Sequence, residues 1–169
     1  MIKVKPTPLE KVLLIETERF KDRRGFNTEV YNVRDYKAAG IETDFVLQSL
    51  SCSVKDTLRG MHGDDKTWKL ISCLEGVVYL VVLNYDPHSP QFGQWWGWLL
   101  SERNGYQVLV PPLFLNGHAV LSDRAIFHYN WSEYYDGQEN QISIRWNDPR
   151  FNIHWPVTNP ILSPRDGGA

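Results

Sequence analysis

Two segments of the sequence combine side chains that transfer protons with side chains that stabilise negative charge. The first is Leu58–Asp64, in which Arg59, Gly60 and His62 lie close together, just before an apolar run that contains Lys69. If His62 and Lys69 face one cavity, an imidazole base lies near a cation that can stabilise the charge left by proton removal. A single histidine near a glycine is more often structural, so catalysis requires partners elsewhere.

The second segment, Phe127–Trp131, supplies a candidate partner. Side chains alternate across a strand, so Phe127, Tyr129 and Trp131 share one face, and the two residues between them share the other. A tyrosine that faces a barrel interior usually makes a structural hydrogen bond. Opposite a histidine base, its phenol can act as the paired acid. The residues alone leave both interpretations open.

The remaining histidines give weaker signals. Asn116-Gly117-His118 follows two prolines and indicates a turn that leads into a strand. His118 is then either a second histidine of the cavity or a hydrogen-bonded turn residue, with equal weight. His88 and His154 lie in loops that contain proline, where a surface or packing role is favoured.

A charged segment, Phe20–Glu29, precedes these candidates and is typical of a turn leading into a strand. Its two adjacent arginines, Arg23 and Arg24, have two interpretations. They are solvated surface residues, or they bind diphosphate oxygens, for which the planar guanidinium group is well suited.

The elements that must position these residues are short β-strands. Runs rich in β-branched and aromatic residues alternate with turn formers such as Glu75-Gly76, Asn104-Gly105, Asn116-Gly117 and Asp136-Gly137. This spacing favours an all-β, closed or nearly closed antiparallel sheet over βαβ units. The clearest predicted strands are Thr67–Ser72, Val77–Leu83, Gln107–Val110, Ala125–Asn130 and Ile142–Trp146.

One short helix is predicted at Val33–Ala39, with Asn32 as its N-cap and Gly40 as a left-handed stop. The chain has 169 residues, the usual size of one domain, and shows no repeat or linker. We therefore expect a single domain, 1–169. Its last residues are expected to fray unless Asp166 is held by the body of the protein.

Composition excludes several classes of function. With 18 Lys and Arg against 20 Asp and Glu and no long basic run, nucleic acid is not an expected partner. Two separated cysteines indicate neither a disulfide framework nor a zinc site, which fits a reducing, cytoplasmic location. The apolar stretch Val12–Ile15 is too short for a signal sequence or membrane span.

Together these segments resemble the dTDP-4-dehydrorhamnose 3,5-epimerase family, from about Phe20 to Asp166. The likeness is carried by an ordered series of motifs: DRRGFNTE, TLRGMH, WKLISCLEGVV, SPQFGQW, VLVPP, HYNWSEYY, RWNDPRFNIHWP and ILSPRD. The resemblance implies an antiparallel β-barrel or jelly roll of the cupin type with few short helices. It also implies an enzyme that epimerises a nucleotide-linked 4-keto sugar at C3, C5 or both.

The resemblance also implies roles for individual residues. His62 becomes the general base, Asp166 the carboxylate that orients it, Tyr129 the acid on the opposite face, and Lys69 the cation beside the C4 oxygen. Arg24, Glu29 and Arg59 match positions that contact the nucleotide diphosphate or help to build the pocket. We also expect Phe26, Asn116, His118 and Arg165 to bind the substrate. This chemistry demands no metal or organic cofactor, and the His-x-His pattern of metal-binding cupins is absent from the sequence.

The sequence departs from the commonest rhamnose-pathway pattern at positions that we expect in the pocket. It has Val46-Leu47-Gln48-Ser49 for VQDN, His62-Gly63-Asp64 for HYQ, and Leu115-Asn116-Gly117-His118 for AHGF, with Leu80 and Asn84 replacing aspartates. The motifs HGDDKTWKL, NGH and ILSPRD are closer to the branch acting on GDP-linked 4-keto-heptoses in bacterial capsule synthesis. A larger sugar would use space freed by Gly63.

Three alternatives remain. A 3,4-ketoisomerase is a related cupin that moves the ketone along the ring, and a sugar-binding cupin without turnover would share the barrel. A metal-dependent dioxygenase is the least favoured, because its ligand set is missing.

A homodimer is expected from the family and because Ile2–Thr7 is predicted to be an extended strand able to join a partner sheet. Trp95, Trp96 and Trp98 are candidate contacts.

Overall fold

The computed structural model describes residues 1–167, which form thirteen β-strands, two short α-helices and one 3-10 helix. The strands are β1 (Ile2–Pro6), β2 (Leu13–Thr17), β3 (Phe20–Asp22), β4 (Gly25–Asn27), β5 (Leu47–Val54), β6 (Leu58–Gly63), β7 (Lys69–Glu75), β8 (Val77–Asn84), β9 (Trp95–Ser101), β10 (Tyr106–Val110), β11 (Phe114–Val120), β12 (Arg124–Trp131) and β13 (Ile142–Ser143). Helix α1 spans Val33–Ala38 and α2 spans Pro164–Gly167, and the 3-10 helix spans Gln138–Asn140.

The strands form two facing antiparallel sheets. The six-stranded sheet has the order β1-β2-β10-β7-β12-β5, and the five-stranded sheet has the order β13-β6-β11-β8-β9. Strands β3 and β4 form a separate hairpin. This arrangement confirms the predicted all-β antiparallel architecture with few short helices.

Strand β8 shows why its sequence is apolar throughout. Val78, Leu80 and Val82 belong to the core between the two sheets. Val81 and Leu83 point to the other side, where Phe151 and other residues of the C-terminal segment cover the sheet. A strand buried on both faces has no solvent-facing positions, so its sequence does not alternate between apolar and polar residues.

Most predicted strands lie within two residues of those observed, and the helix ends one residue early. The Asn32 side chain accepts a hydrogen bond from the Arg34 N–H, and Gly40 has a φ of 84°, so the predicted N-cap and the predicted left-handed glycine are both confirmed. The first predicted strand begins later, at Lys69, because Asp64 Oδ1 accepts hydrogen bonds from the Lys66 and Thr67 amides and holds them in a loop.

Two sequence predictions about the strands were wrong. The predicted strand Ile142–Trp146 shortens to Ile142–Ser143, because the chain turns where the Asp148 amide donates to the Arg145 carbonyl. Asn116-Gly117 is not a turn but lies within β11. A Cβ at Gly117 would lie 2.8 Å from Met61 Sδ and 2.9 Å from the Arg59 carbonyl oxygen, so the glycine permits close approach of β6.

A β-bulge in β6 determines which side chains this strand presents. Arg59 pairs with His118 and His62 pairs with Asn116, so three residue steps of β6 face two steps of β11. In a regular strand, residues three apart point to opposite faces. The extra residue places Arg59 and His62 on the same face. Gly60 lies within the bulge, at a φ of 119°.

Gly60→Ala is expected to destabilise the fold by roughly 2–4 kcal/mol, since overpacking and a positive φ each cost stability. Its Cβ would lie 2.5 Å from the Gly117 Cα and 2.7 Å from the Asn116 carbonyl oxygen. Gly25→Ala is the matched control, because Gly25 has a φ of 132° and its Cβ would meet nothing within 4 Å. Urea denaturation measures both, and equal losses would contradict the close packing at the bulge.

Candidate active site

The two sheets enclose a central cavity of about 930 Å³, within the range of ligand pockets. Strands of both sheets, the residues around the 3-10 helix and helix α2 supply its walls. Its lining includes Ser49, Ser51, Arg59, His62, Lys69, Ile71, Asn116, His118, Phe127, Tyr129, Trp131, Tyr135, Gln138, Gln141, Ser163, Arg165 and Asp166. All four predicted catalytic residues are in this set.

His62 and Asp166 form a close pair on one side of the cavity. His62 Nε2 lies 2.7 Å from Asp166 Oδ1, and the Asp166 side chain is only 4% exposed. Burial by itself raises the pKa of Asp166, but the hydrogen bond and charge of His62, with the Ser163 hydroxyl, lower it overall. The carboxylate is therefore ionised and can orient the imidazole and stabilise its protonated form.

The C-terminal segment is tied to the barrel, which keeps Asp166 in place. The Ile161 amide donates to the Asp56 carbonyl at 2.8 Å, and the Leu58 amide donates to the Ile161 carbonyl at 3.0 Å. Beyond this bridge the Ser163 hydroxyl donates to Asp166 Oδ2 at 2.9 Å. The sequence expectation that Asp166 must be held by the body of the protein is met by these contacts.

Lys69 is a buried cation on the opposite sheet. Its ammonium donates to Asn116 Oδ1 at 3.2 Å and lies 4.8 Å from the centre of the Trp131 ring. Burial, together with the charge of Arg165, lowers the pKa of Lys69 to about 8. At neutral pH the side chain is still mainly protonated, so it can place a positive charge against an oxygen anion.

Tyr129 lies on β12 and therefore enters the cavity from the six-stranded sheet, whereas His62 enters from the five-stranded sheet. Phe127 and Trp131 flank it, with ring centroids 5.4 and 5.3 Å away. Burial raises the pKa of Tyr129, so the phenol keeps its proton at neutral pH. The side-chain alternation predicted for Phe127–Trp131 is confirmed.

Three basic groups in the cavity are hydrogen-bonded only to neutral groups. Arg59 Nε donates to Ser53 Oγ at 3.1 Å, and Arg165 Nη2 donates to Gln141 Oε1 and Ser143 Oγ at 3.1 and 2.6 Å. Within residues 1–167, no ion pair includes Arg59, Arg165 or Lys69. Cations without carboxylate partners suit an anionic ligand.

Asn116 and His118 both line the cavity from β11. The ring of His118 stacks on Phe127, with centroids 3.8 Å apart and planes 8° apart. Burial, with smaller effects from Arg59 and His62, lowers the pKa of His118 to about 3. His118 is therefore a neutral histidine of the cavity, which decides between its two sequence interpretations. His88 and His154 are exposed, as expected.

Three predicted binding residues are not among those that line the cavity of the same chain. Arg24, Phe26 and Glu29 lie in or after the β3–β4 hairpin, where Arg24 Nη2 contacts Asp22 Oδ2 at 2.6 Å with its side chain 84% exposed. The Arg19 guanidinium lies 4.2 Å from the centre of the Phe26 ring. The predicted turn leading into a strand is present as the turn before β4, but the sequence motif did not indicate the preceding strand or the surface that the hairpin faces.

The departures from the rhamnose pattern divide between cavity and core. Ser49, Asn116 and His118 line the cavity. Gly63 does not, because its Cβ would lie 2.5 Å from the Phe114 carbonyl oxygen, so it frees no space for a larger sugar. Leu80 is a core residue, and Asn84 donates to Ser89 Oγ at 2.9 Å. The expectation that all departures fall in the pocket was wrong.

Sequence reasoning missed several lining residues. Ser49 and Ser51 alternate with outward-facing residues of β5, and this two-residue spacing of small polar side chains was a usable signal. Gln138 and Gln141 lie in and after the 3-10 helix, where no periodicity marks them.

Within the described part of the chain, no helix is long and apolar enough to cross a membrane.

Comparison with known proteins identifies the family of this chain. The family model described as dTDP-4-dehydrorhamnose 3,5-epimerase matches residues 6–169. The Escherichia coli K12 enzyme of that name is 41% identical over 165 residues, which cover 95% of this chain and 89% of that protein.

Two solved structures are similar over nearly the whole chain. A Legionella pneumophila dTDP-6-deoxy-D-glucose-3,5-epimerase in complex with dTDP-4-keto-L-rhamnose has a TM-score of 0.93 and 36% identity, covering 100% of this chain and 92% of that one. The Bacillus anthracis dTDP-4-dehydrorhamnose 3,5-epimerase, with TDP and PPi bound, has a TM-score of 0.93 and 37% identity, covering 98% and 97%. The chain belongs to the dTDP-4-dehydrorhamnose 3,5-epimerase family.

Proposed function

We propose that this protein is an epimerase that inverts C3, C5 or both in a nucleotide-diphosphate-linked 4-keto sugar. The observation that carries the proposal is that His62, Asp166, Tyr129 and Lys69 line one cavity. The His62–Asp166 pair lies on the side of the five-stranded sheet, and Tyr129 and Lys69 lie on the six-stranded sheet. Family membership supports the same reaction.

The reaction begins with proton removal from a carbon next to the ketone. His62 takes the proton, and the ionised Asp166 stabilises the imidazolium that forms. The electron pair moves onto the C4 oxygen, which becomes an enolate. Lys69 then stabilises this oxygen, since a preorganised cation in a buried site is most effective where charge develops.

Inversion requires that the new proton arrive on the other face of the ring. Tyr129 is protonated and enters from the sheet opposite His62, so it can donate that proton to carbon. These side chains supply base, acid and cation, so we propose that no cofactor takes part. One base can serve both C3 and C5 if the sugar turns between steps.

Arg59 and Arg165 are the proposed diphosphate ligands. Both line the cavity and are hydrogen-bonded to neutral oxygens rather than to carboxylates. A guanidinium group binds phosphate oxygens through a planar pair of N–H groups. The variant motifs at Asn116 and His118 support a GDP-linked 4-keto-heptose as the substrate, with a dTDP-linked 4-keto hexose as the alternative.

We further propose a homodimer in which the β3–β4 hairpin of one subunit completes the site of the other. Arg24 is exposed and does not line its own cavity, although the family motif implies that it contacts the nucleotide. In such a dimer, Arg24 of one subunit reaches the nucleotide bound in the other subunit, so it can contact nucleotide without lining its own cavity.

His62→Asn is expected to abolish solvent proton exchange at C3 and C5, a loss of at least about 10²-fold, because the base is missing. Tyr129→Phe is expected to retain exchange at a carbon but to impair inversion. The measurement is NMR of GDP-linked and dTDP-linked 4-keto sugars in deuterated water. The exposed His88→Asn is the control and should match the wild type.

This assay also separates the alternatives. Product with the ketone moved to C3 would indicate a ketoisomerase, and absence of exchange with every substrate would indicate a binding protein. Full activity in both His62→Asn and Tyr129→Phe would overturn the mechanism. Dialysis against a chelator before the assay should leave the rate unchanged.

Activity is expected to fall above about pH 8 as Lys69, with a pKa of about 8, loses its proton. The profile of kcat/KM reports groups of the free enzyme, so it is the quantity to measure. Arg165→Gln removes a neighbouring positive charge that lowers the pKa of Lys69, so the alkaline limb should move to higher pH. An unmoved limb would show that another group controls it.

Mixed dimers test the shared site. If His62 and Arg24 act in the same site from different subunits, a His62→Asn/Arg24→Glu heterodimer contains one intact site and one doubly altered site. Random reassembly of the two inactive variants should then recover about a quarter of wild-type activity. If the residues serve one site within a chain, every site carries a defect and no activity returns.

A further inference from the structure

His118 contains a buried polar atom that the proposed reaction does not use. The residue is 3% exposed, and its Nε2 has no hydrogen-bond partner among residues 1–167. A phenylalanine could stack on Phe127 in the same way without burying an unpaired nitrogen. Buried polar groups are nearly always paired, so an imidazole that has an unpaired nitrogen and belongs to a residue lining the cavity is suited to bind a ligand.

The surroundings of His118 exclude proton transfer as its role. Arg59 lies opposite it on β6 and disfavours a second positive charge, as does His62, whereas only Asp166 favours the charged ring. Burial disfavours the charged form further. A ring that stays neutral is a weak base, but it is a good hydrogen-bonding group.

The neutral ring suits a hydroxyl group better than other sugar groups. Each nitrogen of a neutral imidazole donates in one tautomer and accepts in the other, and a hydroxyl can do either. The cations of the cavity suit the diphosphate and the ketone oxygen, and Asn116 is already hydrogen-bonded to Lys69. His118 is thus available for an uncharged part of the ligand.

We propose that His118 is a specificity-determining residue whose imidazole hydrogen-bonds a ring hydroxyl of the nucleotide-linked sugar. This rests on the proposed substrate class but not on turnover. A site that hydrogen-bonds a hydroxyl rejects a ligand lacking it, since the buried nitrogen then stays unpaired. His118 therefore selects sugars that carry a hydroxyl at one ring position.

Binding of unreactive nucleotide sugars tests the assignment. Calorimetry compares dTDP-glucose with dTDP and GDP-mannose with GDP, using the full chain. For at least one pair, wild type should bind the sugar nucleotide about tenfold tighter than the nucleotide alone, and His118→Phe should remove that gain without weakening nucleotide binding. His118→Gln should restore part of it.

The matched control is His128→Phe. His128 lies next to Phe127 on the outward face of β12 and is also buried, but its Nδ1 contacts Ser72 Oγ at 3.1 Å. This variant should lose stability and keep the sugar-dependent gain. Monodeoxy sugar nucleotides then identify the hydroxyl, because His118→Phe should bind one of them as tightly as wild type does.

Two results would overturn the proposal: His118→Phe keeping the sugar-dependent gain, or losing affinity for nucleotide and sugar nucleotide equally. Neither depends on catalysis. Failure of the epimerase proposal would instead appear as absence of deuterium exchange in a wild-type protein that still binds these ligands.

Discussion

Strands β6 and β11 approach each other so closely at Gly60 and Gly117 that neither position has room for a Cβ atom. The close contact accompanies a bulge that adds one residue to β6. Without that residue, Arg59 and His62 would point to opposite faces of the sheet. Arg59 and His62, the proposed diphosphate ligand and base, share one cavity because two glycines permit this contact, and Asp166, Asn116 and His118 line the same cavity.

Burial then sets the protonation states that the chemistry needs. It raises the pKa of Tyr129 and lowers that of Lys69 to about 8, so the phenol remains an acid while the ammonium remains mainly charged. Burying the Lys69 ammonium costs stability, and its hydrogen bond to the neutral Asn116 Oδ1 compensates only in part. A negatively charged ligand would pair with the cations of the cavity. The same positive charge would then serve both ligand binding and the proposed stabilisation of an enolate.

The sequence predicted those features that depend on local pattern. Apolar runs and turn formers located strands such as Val77–Asn84, and alternation placed Tyr129 with Phe127. Features that depend on distant packing were missed. The Asn116-Gly117 pair has the residue types of a turn, yet it lies within β11 because β6 packs against it. The motif around Arg24 indicated a turn leading into a strand, but a local motif cannot specify which surface that turn faces.

The departures at Asn116 and His118 lie directly beside the residues proposed for catalysis and diphosphate binding. Asn116 pairs with His62 across the strands and accepts a hydrogen bond from Lys69, while His118 pairs with Arg59. Residues in one hydrogen-bonded network have non-additive effects when they are changed. Exchanging Asn116 would remove the hydrogen bond that its Oδ1 accepts from the Lys69 ammonium. At Asn116 a change in substrate preference is therefore expected to come with a change in the environment of the Lys69 cation, because one side chain serves both.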